Sequence, residues 1–101
     1  MSPLRVQQDA TYAGDGYWTW SVWLEGPAAE LDQVSYVEYT LDRTFPDPVR
    51  RMRDRESRFR LATGGWGEFT IYVKVVFRDG SRRSIDHQLS LARAVEEPAP
   101  R

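Results

Sequence analysis

Phe69-Thr70-Ile71-Tyr72-Val73-Lys74-Val75-Val76-Phe77 alternates along its length. Phe69, Ile71, Val73, Val75 and Phe77 are apolar, and Thr70, Tyr72 and Lys74 fall between them. A period of two is the mark of a strand with one buried face. Arg78-Asp79-Gly80-Ser81 follows, and Asp-Gly between two alternating runs is a hairpin signal. The returning strand carries Ile85, His87, Leu89 and Leu91 on one phase and Ser84, Asp86, Gln88 and Ser90 on the other. On the N-terminal side the run is preceded by Gly64-Gly65-Trp66-Gly67-Glu68. Glycine permits positive φ and lets a backbone or ligand approach closely. A tryptophan held between glycines is either a plate presented on a loop tip or a plug closing the end of a sandwich. Spacing alone leaves both open.

Upstream, the pattern repeats. Tyr17 to Leu24 places Trp18, Trp20, Val22 and Leu24 on one face, with Tyr17, Thr19, Ser21 and Trp23 on the other. The first set is assigned to the core, where tryptophan buries a large area. Trp23 is then left on the outer face, awaiting a second layer or a partner. Leu4 to Tyr12 reads as a weaker, partly exposed edge strand, joined by the turn Ala13-Gly14-Asp15-Gly16. In Leu31 to Leu41, Val37, Tyr39 and Leu41 alternate, but Val34 is out of phase with them. A bulge near Ser35 or Tyr36 accounts for that. Pro46 and Pro48 then stop any ladder, leaving Phe45 as an aromatic in a loop. Arg50 to Arg58 is arginine-rich and reads as a solvated loop. Phe59 and Leu61 form a short strand into the glycine loop. No segment reads as a convincing helix. The expected fold is all-β: an antiparallel immunoglobulin-like β-sandwich of about seven to eight strands. Its expected core is Trp18, Trp20, Val37, Tyr39, Leu41, Phe69, Ile71, Val73, Val75 and Leu89.

The chain has 101 residues, 41% hydrophobic and 13% aromatic, enough to bury the core of a single domain. Residues 1–91 are assigned to that domain, and 92–101 read as a linker or disordered tail of a longer protein. Fourteen Lys and Arg against 15 Asp and Glu give a net charge of -1, far less basic than a nucleic-acid coat. With no cysteine, a disulfide framework and a Cys-ligated metal are both excluded. No apolar run is long enough to span a membrane, and Met1-Ser2-Pro3-Leu4-Arg5 lacks a signal peptide's apolar stretch. The expected compartment is the cytoplasm.

Catalysis has little to stand on. His87 is the single histidine, and it falls on the apolar phase of its strand, as a structural histidine does. Ser84 and Asp86 point away from it. No histidine pair offers a zinc site, and the glycines lack the Lys-Ser/Thr and helix of a phosphate loop. No catalytic residue, metal or cofactor is assigned. Binding is better supported. Phe45 and Trp66 sit on separate loops, and if they face each other they make a slot with two π-walls for a flat neutral group. Backbone amides beside Trp66 can donate to a carbonyl, and the Thr44 hydroxyl can accept from an amide N–H.

Leu41-Asp42-Arg43-Thr44-Phe45-Pro46-Asp47-Pro48 together with Gly65-Trp66-Gly67-Glu68-Phe69 resembles the paired signature of the YEATS domain family. The similarity runs from about Tyr17 to Leu91 and is greatest to the prokaryotic branch. It implies an eight-stranded immunoglobulin-like sandwich and a non-enzymatic reader. Eukaryotic members take acetylated or crotonylated lysine of histones between aromatic walls. By position the ligand-binding residues are Asp42, Thr44, Phe45, Gly65, Trp66 and Gly67. Phe45 and Trp66 are the walls, Thr44 the slot hydroxyl, and the glycine run the carbonyl contacts. The implied partner is an acylated lysine side chain or peptide of another protein. Family readers usually place a histidine where this chain has Asp42. A carboxylate there can accept from Thr44 or attract an unmodified ammonium. The competing reading is a structural or assembly module, with Trp23 and the arginine segment against a partner domain.

Overall fold

The structure, a computed structural model, describes residues 4–91. Seven strands are present in this span: β1 (Arg5–Gly14), β2 (Tyr17–Glu25), β3 (Val34–Thr40), β4 (Val49–Met52), β5 (Leu61–Gly65), β6 (Thr70–Phe77) and β7 (Arg82–Gln88). They form two antiparallel sheets, ordered β1-β2-β5 and β4-β3-β6-β7. The immunoglobulin-like sandwich expected from the alternation is the observed fold. The expected tail at 92–101 lies outside the described residues.

The buried faces are those that the period of two assigns. Trp20, Val22 and Leu24 of β2 meet Val37 and Tyr39 of β3 and Ile71, Val73 and Val75 of β6 in one core. The β6–β7 hairpin turns at Asp79-Gly80, where Gly80 has φ +90, a conformation that favours glycine. The β3–β6 register shifts between Val34 and Tyr36, which explains the phase error read from the sequence.

Four expectations are corrected. Trp18 is half-buried: it sits where β2 meets Gly65 at the end of the sheet, with Tyr12 edge-on at 5.1 Å. Phe69 is also half-buried, because it precedes β6 and faces a cleft. Arg50 to Arg58 is not all loop. Val49–Met52 pairs with β3 as a strand whose inward phase is Arg50 and Met52. Arg50 spends its donors on the carbonyls of Pro46 and Asp47, so no apolar alternation betrays the strand. Finally, one helical turn, α1 (Ala28–Leu31), follows Pro27 and buries Leu31. A four-residue helix is too short to show a period.

Trp23 needs no partner domain to cover it. The Arg60 guanidinium stacks on its ring at 4.5 Å and pairs with Asp9 at 3.0 Å.

The turn before β5 is backbone-strained, with φ +60 at Arg58 and +59 at Phe59. Hydrogen bonds hold it from both sheets. Leu24 N donates to Arg58 O, Phe59 N donates to Asp54 O, and the buried Tyr39 hydroxyl donates to Phe59 O at 2.7 Å. Burial pushes the Tyr39 phenol well above its ordinary range, so it stays a donor. Tyr39→Phe leaves the buried carbonyl without its donor and is expected to cost about 1–2 kcal/mol. Chemical denaturation of the variant checks this.

Candidate functional site

Two loops meet at one end of the sandwich and enclose a cleft of about 370 Å³. The loop after β3 supplies Asp42, Thr44 and Phe45; the end of β5 supplies Gly65, and the loop after it Trp66 and Gly67. All six sequence-assigned residues therefore line one space. Pro46, Gly64, Glu68 and Phe69 complete its lining.

Each wall is fixed differently. Phe45 is half-buried and locked from behind, with Trp20 at 6.3 Å and Phe69 at 5.3 Å between ring centroids. Its ring tip lies against the backbone of Gly65, where a Cβ would come within 3.3 Å. Trp66 stands proud at 72% exposure. Its one ring neighbour among the described residues is Tyr17, edge-on at 4.7 Å. Tyr17 in turn belongs to the β1–β2 corner, where Gly16 N donates to the Tyr12 hydroxyl at 2.9 Å. Trp66 is thus neither buried nor a plug: it is a plate braced from one side.

The Asp42–Phe45 segment is a tight turn. Phe45 N donates to Asp42 O, and Asp42 Oδ2 accepts both the Thr44 amide at 3.1 Å and the Thr44 hydroxyl at 2.7 Å. These two bonds, the hydroxyl first, hold the Asp42 carboxyl below the usual carboxylate range. Its charge is directed at Thr44, and the Thr44 oxygen, its proton committed, is left with lone pairs to offer.

The other loop is anchored at its far end. Glu68 Oε2 accepts the Leu91 amide at 2.7 Å, and Leu89 N donates to Phe69 O at 3.0 Å. Gly64 is the glycine the fold demands. A Cβ there would overlap the Tyr17 phenol and approach Trp18 O to 2.8 Å. At Gly67 nothing lies within 4 Å, so no neighbour requires glycine there.

Sequence reasoning missed Tyr17, Pro46, Gly64, Glu68 and Phe69 as parts of the site. Phe69 carried the phase of a core residue, and Tyr17 the phase of an outward one. Gly64 and Glu68 lay in the quoted glycine run, but neither had been assigned a role. Among the described residues no group of three His, Cys, Asp or Glu side chains could hold a metal ion. No helix among them is long and apolar enough to cross a membrane.

His87 stands apart from the cleft lining. Gln8 Nε2 donates to Ser90 O and Gln8 Oε1 accepts Ser90 N, which fixes the amide's orientation. His87 Nε2, 2.8 Å from the same Oε1, must then carry the proton and donate. Together they tie β1 to the end of β7. Burial lowers the His87 pKa below its ordinary 6.5. In the window between folded and unfolded values the unfolded chain binds more protons. Stability therefore falls as pH drops from about 6.5 and levels off below the folded value. His87→Gln is expected to remove that slope and to cost less than about 1 kcal/mol above it. Urea melts of both proteins between about pH 8 and 5 check this.

Comparison with known proteins agrees with this architecture. The curated AF-9 homolog protein of Eremothecium gossypii is 36% identical over 89 residues, covering 81% of this chain and 41% of that protein. The chain thus spans about two fifths of that relative's length. Among solved structures, the yeast AF-9 homolog Yaf9 superposes with a TM-score of 0.78 at 27% identity, covering 92% of this chain and 69% of that one. The Yaf9 YEATS domain recognizing an H3K122suc peptide superposes with a TM-score of 0.75 at 29% identity, covering 93% and 74%. The family model described as the prokaryotic YEATS domain matches residues 18–90, and with most of the chain so covered, this protein belongs to that family.

Proposed function

We propose that the cleft between Phe45 and Trp66 binds the acylated lysine side chain of a partner protein, and that the domain is a reader rather than an enzyme. One observation carries this reading. An exposed tryptophan and a core-locked phenylalanine line one open cleft, together with the Thr44 hydroxyl, whose proton is already committed to Asp42. A flat amide inserted there stacks on the rings. Its N–H donates to Thr44 Oγ1, and its carbonyl accepts from backbone amides in the Gly65-Trp66-Gly67 run. The related Yaf9 domain, which recognizes an acylated histone peptide, supports the same class of ligand.

Asp42 also bears on which lysine is taken. Its engaged oxygen faces Thr44, so an unmodified ammonium entering the slot gains little from a carboxylate open to solvent. It would also leave the stacking surfaces without a planar group. The gains for the acyl form are modest: about 0.5–1.5 kcal/mol per hydrogen bond and about 0.5–1.5 for stacking. Ordering of the lysine stem and lost translational freedom oppose them. Affinity for a single acyl-lysine is expected on the order of micromolar to millimolar. Calorimetric titration with one peptide in acetylated, crotonylated and unmodified forms tests the proposal. Binding of the acylated forms alone supports it; binding of the unmodified form alone overturns it.

A further inference from the structure

Resting on that reading, we infer that this cleft selects acyl groups by charge, taking neutral acyl-lysines and rejecting those that end in a carboxylate, such as succinyl-lysine. Two lining side chains are ionisable, Asp42 and Glu68, and both are acidic; none is Lys, Arg or His. A space of about 370 Å³ is roughly 7–9 Å across, comparable with the Debye length of about 8 Å at physiological salt. A carboxylate on the tip of an inserted acyl chain therefore meets two like charges that solvent weakens but salt does not cancel, and it gives up its own water to do so.

Both carboxyls are held in place by hydrogen bonds. Asp42 is held as a carboxylate by both hydrogen bonds from Thr44. Glu68 Oε2 accepts the Leu91 amide at 2.7 Å, which fixes the carboxyl at the cleft's edge. The cations near the rim do not compensate. Arg43 is exposed and outside the lining, and Arg50 is turned onto the carbonyls of Pro46 and Asp47. A carboxylate tip would shed water and find no donor of opposite charge, a cost without a return. Neutral acyl chains meet instead the rings of Phe45, Phe69 and Trp66. In this the chain would differ from its Yaf9 relative, whose bound peptide is succinylated.

The test compares three forms of one lysine peptide by calorimetry: butyryl, succinyl, and the succinyl methyl ester. The ester keeps the succinyl carbon chain and removes its charge. Succinyl is expected to bind about three- to tenfold more weakly than butyryl and than its own ester, with the gap narrowing in high salt. Asp42→Asn, whose side-chain oxygen can still accept from Thr44, is expected to narrow the gap between acid and ester, and Glu68→Gln likewise. Succinyl binding equal to its ester overturns charge selection and leaves the reader proposal standing. Equal rejection of ester and acid points to length, and overturns it too. If none of the three binds the folded protein, the reader proposal itself has failed.

Discussion

Trp66→Ala is expected to weaken acyl-peptide binding by about thirtyfold, from a loss of roughly 2 kcal/mol, while leaving the domain folded. The two halves of this result have separate causes. Trp66 is 72% exposed and packs edge-on against one ring, Tyr17. Removing an exposed side chain with one such contact costs at most about 1 kcal/mol of stability. In the proposed complex the same ring is one of two walls, and truncating a tryptophan at the centre of an interface ordinarily costs about 2 kcal/mol or more. From a starting affinity already in the micromolar to millimolar range, such a loss puts binding at or past detection. Calorimetry of the variant, with a thermal melt as the folding control, gives both numbers. An unchanged dissociation constant would remove Trp66 from the site.

Gly64→Ala is expected to act in the opposite way, by destabilising the fold. Gly64 lies opposite Thr19 in the β2–β5 ladder. An added Cβ would stand 2.8 Å from Trp18 O, an atom of the neighbouring strand's backbone, and would overlap the Tyr17 phenol. The phenol can swing aside, but it braces Trp66. The carbonyl cannot move without parting the strands. The expected cost is about 3 kcal/mol, the upper end of ordinary overpacking. For a domain of this size that lowers the midpoint of thermal unfolding by about 12–24 °C. Gly67→Ala is the matched comparison. It meets no heavy atom within 4 Å, and its stability is expected to change by less than about 0.5 kcal/mol. Equal melting of the two variants would contradict the packing described at Gly64.

The fold was legible wherever one residue in two was apolar. β2, β3 and β6 each bury most of one face, and their sequences alternate accordingly. β4 was hidden because its inward phase carries Arg50, whose guanidinium is satisfied by loop carbonyls rather than by burial against carbon. α1 was hidden because one turn has no period. At the site, Phe45 and Trp66 could be found because each breaks a local rule: an aromatic just before two prolines, and an aromatic between glycines. Their neighbours obey local rules and so stayed silent. Phe69 keeps the phase of β6 although it lies just outside it. Tyr17 looks outward along β2 but serves as the brace beneath Trp66. The role of Asp42 could be framed as a choice from the sequence. Its resolution toward Thr44 depends on a turn whose geometry no spacing encodes.

The central claim is that an acylated lysine enters between Phe45 and Trp66. Amide chemical-shift mapping of the labelled domain, titrated with an acetyl-lysine peptide and its unmodified twin, tests it most directly. The expected result is saturable movement of the Thr44, Phe45, Gly65, Trp66 and Gly67 signals with the acetylated peptide and none with the unmodified one. Shifts confined to the outer face of the β4-β3-β6-β7 sheet, where Val49 and Tyr72 are exposed, or equal shifts with both peptides, would contradict it.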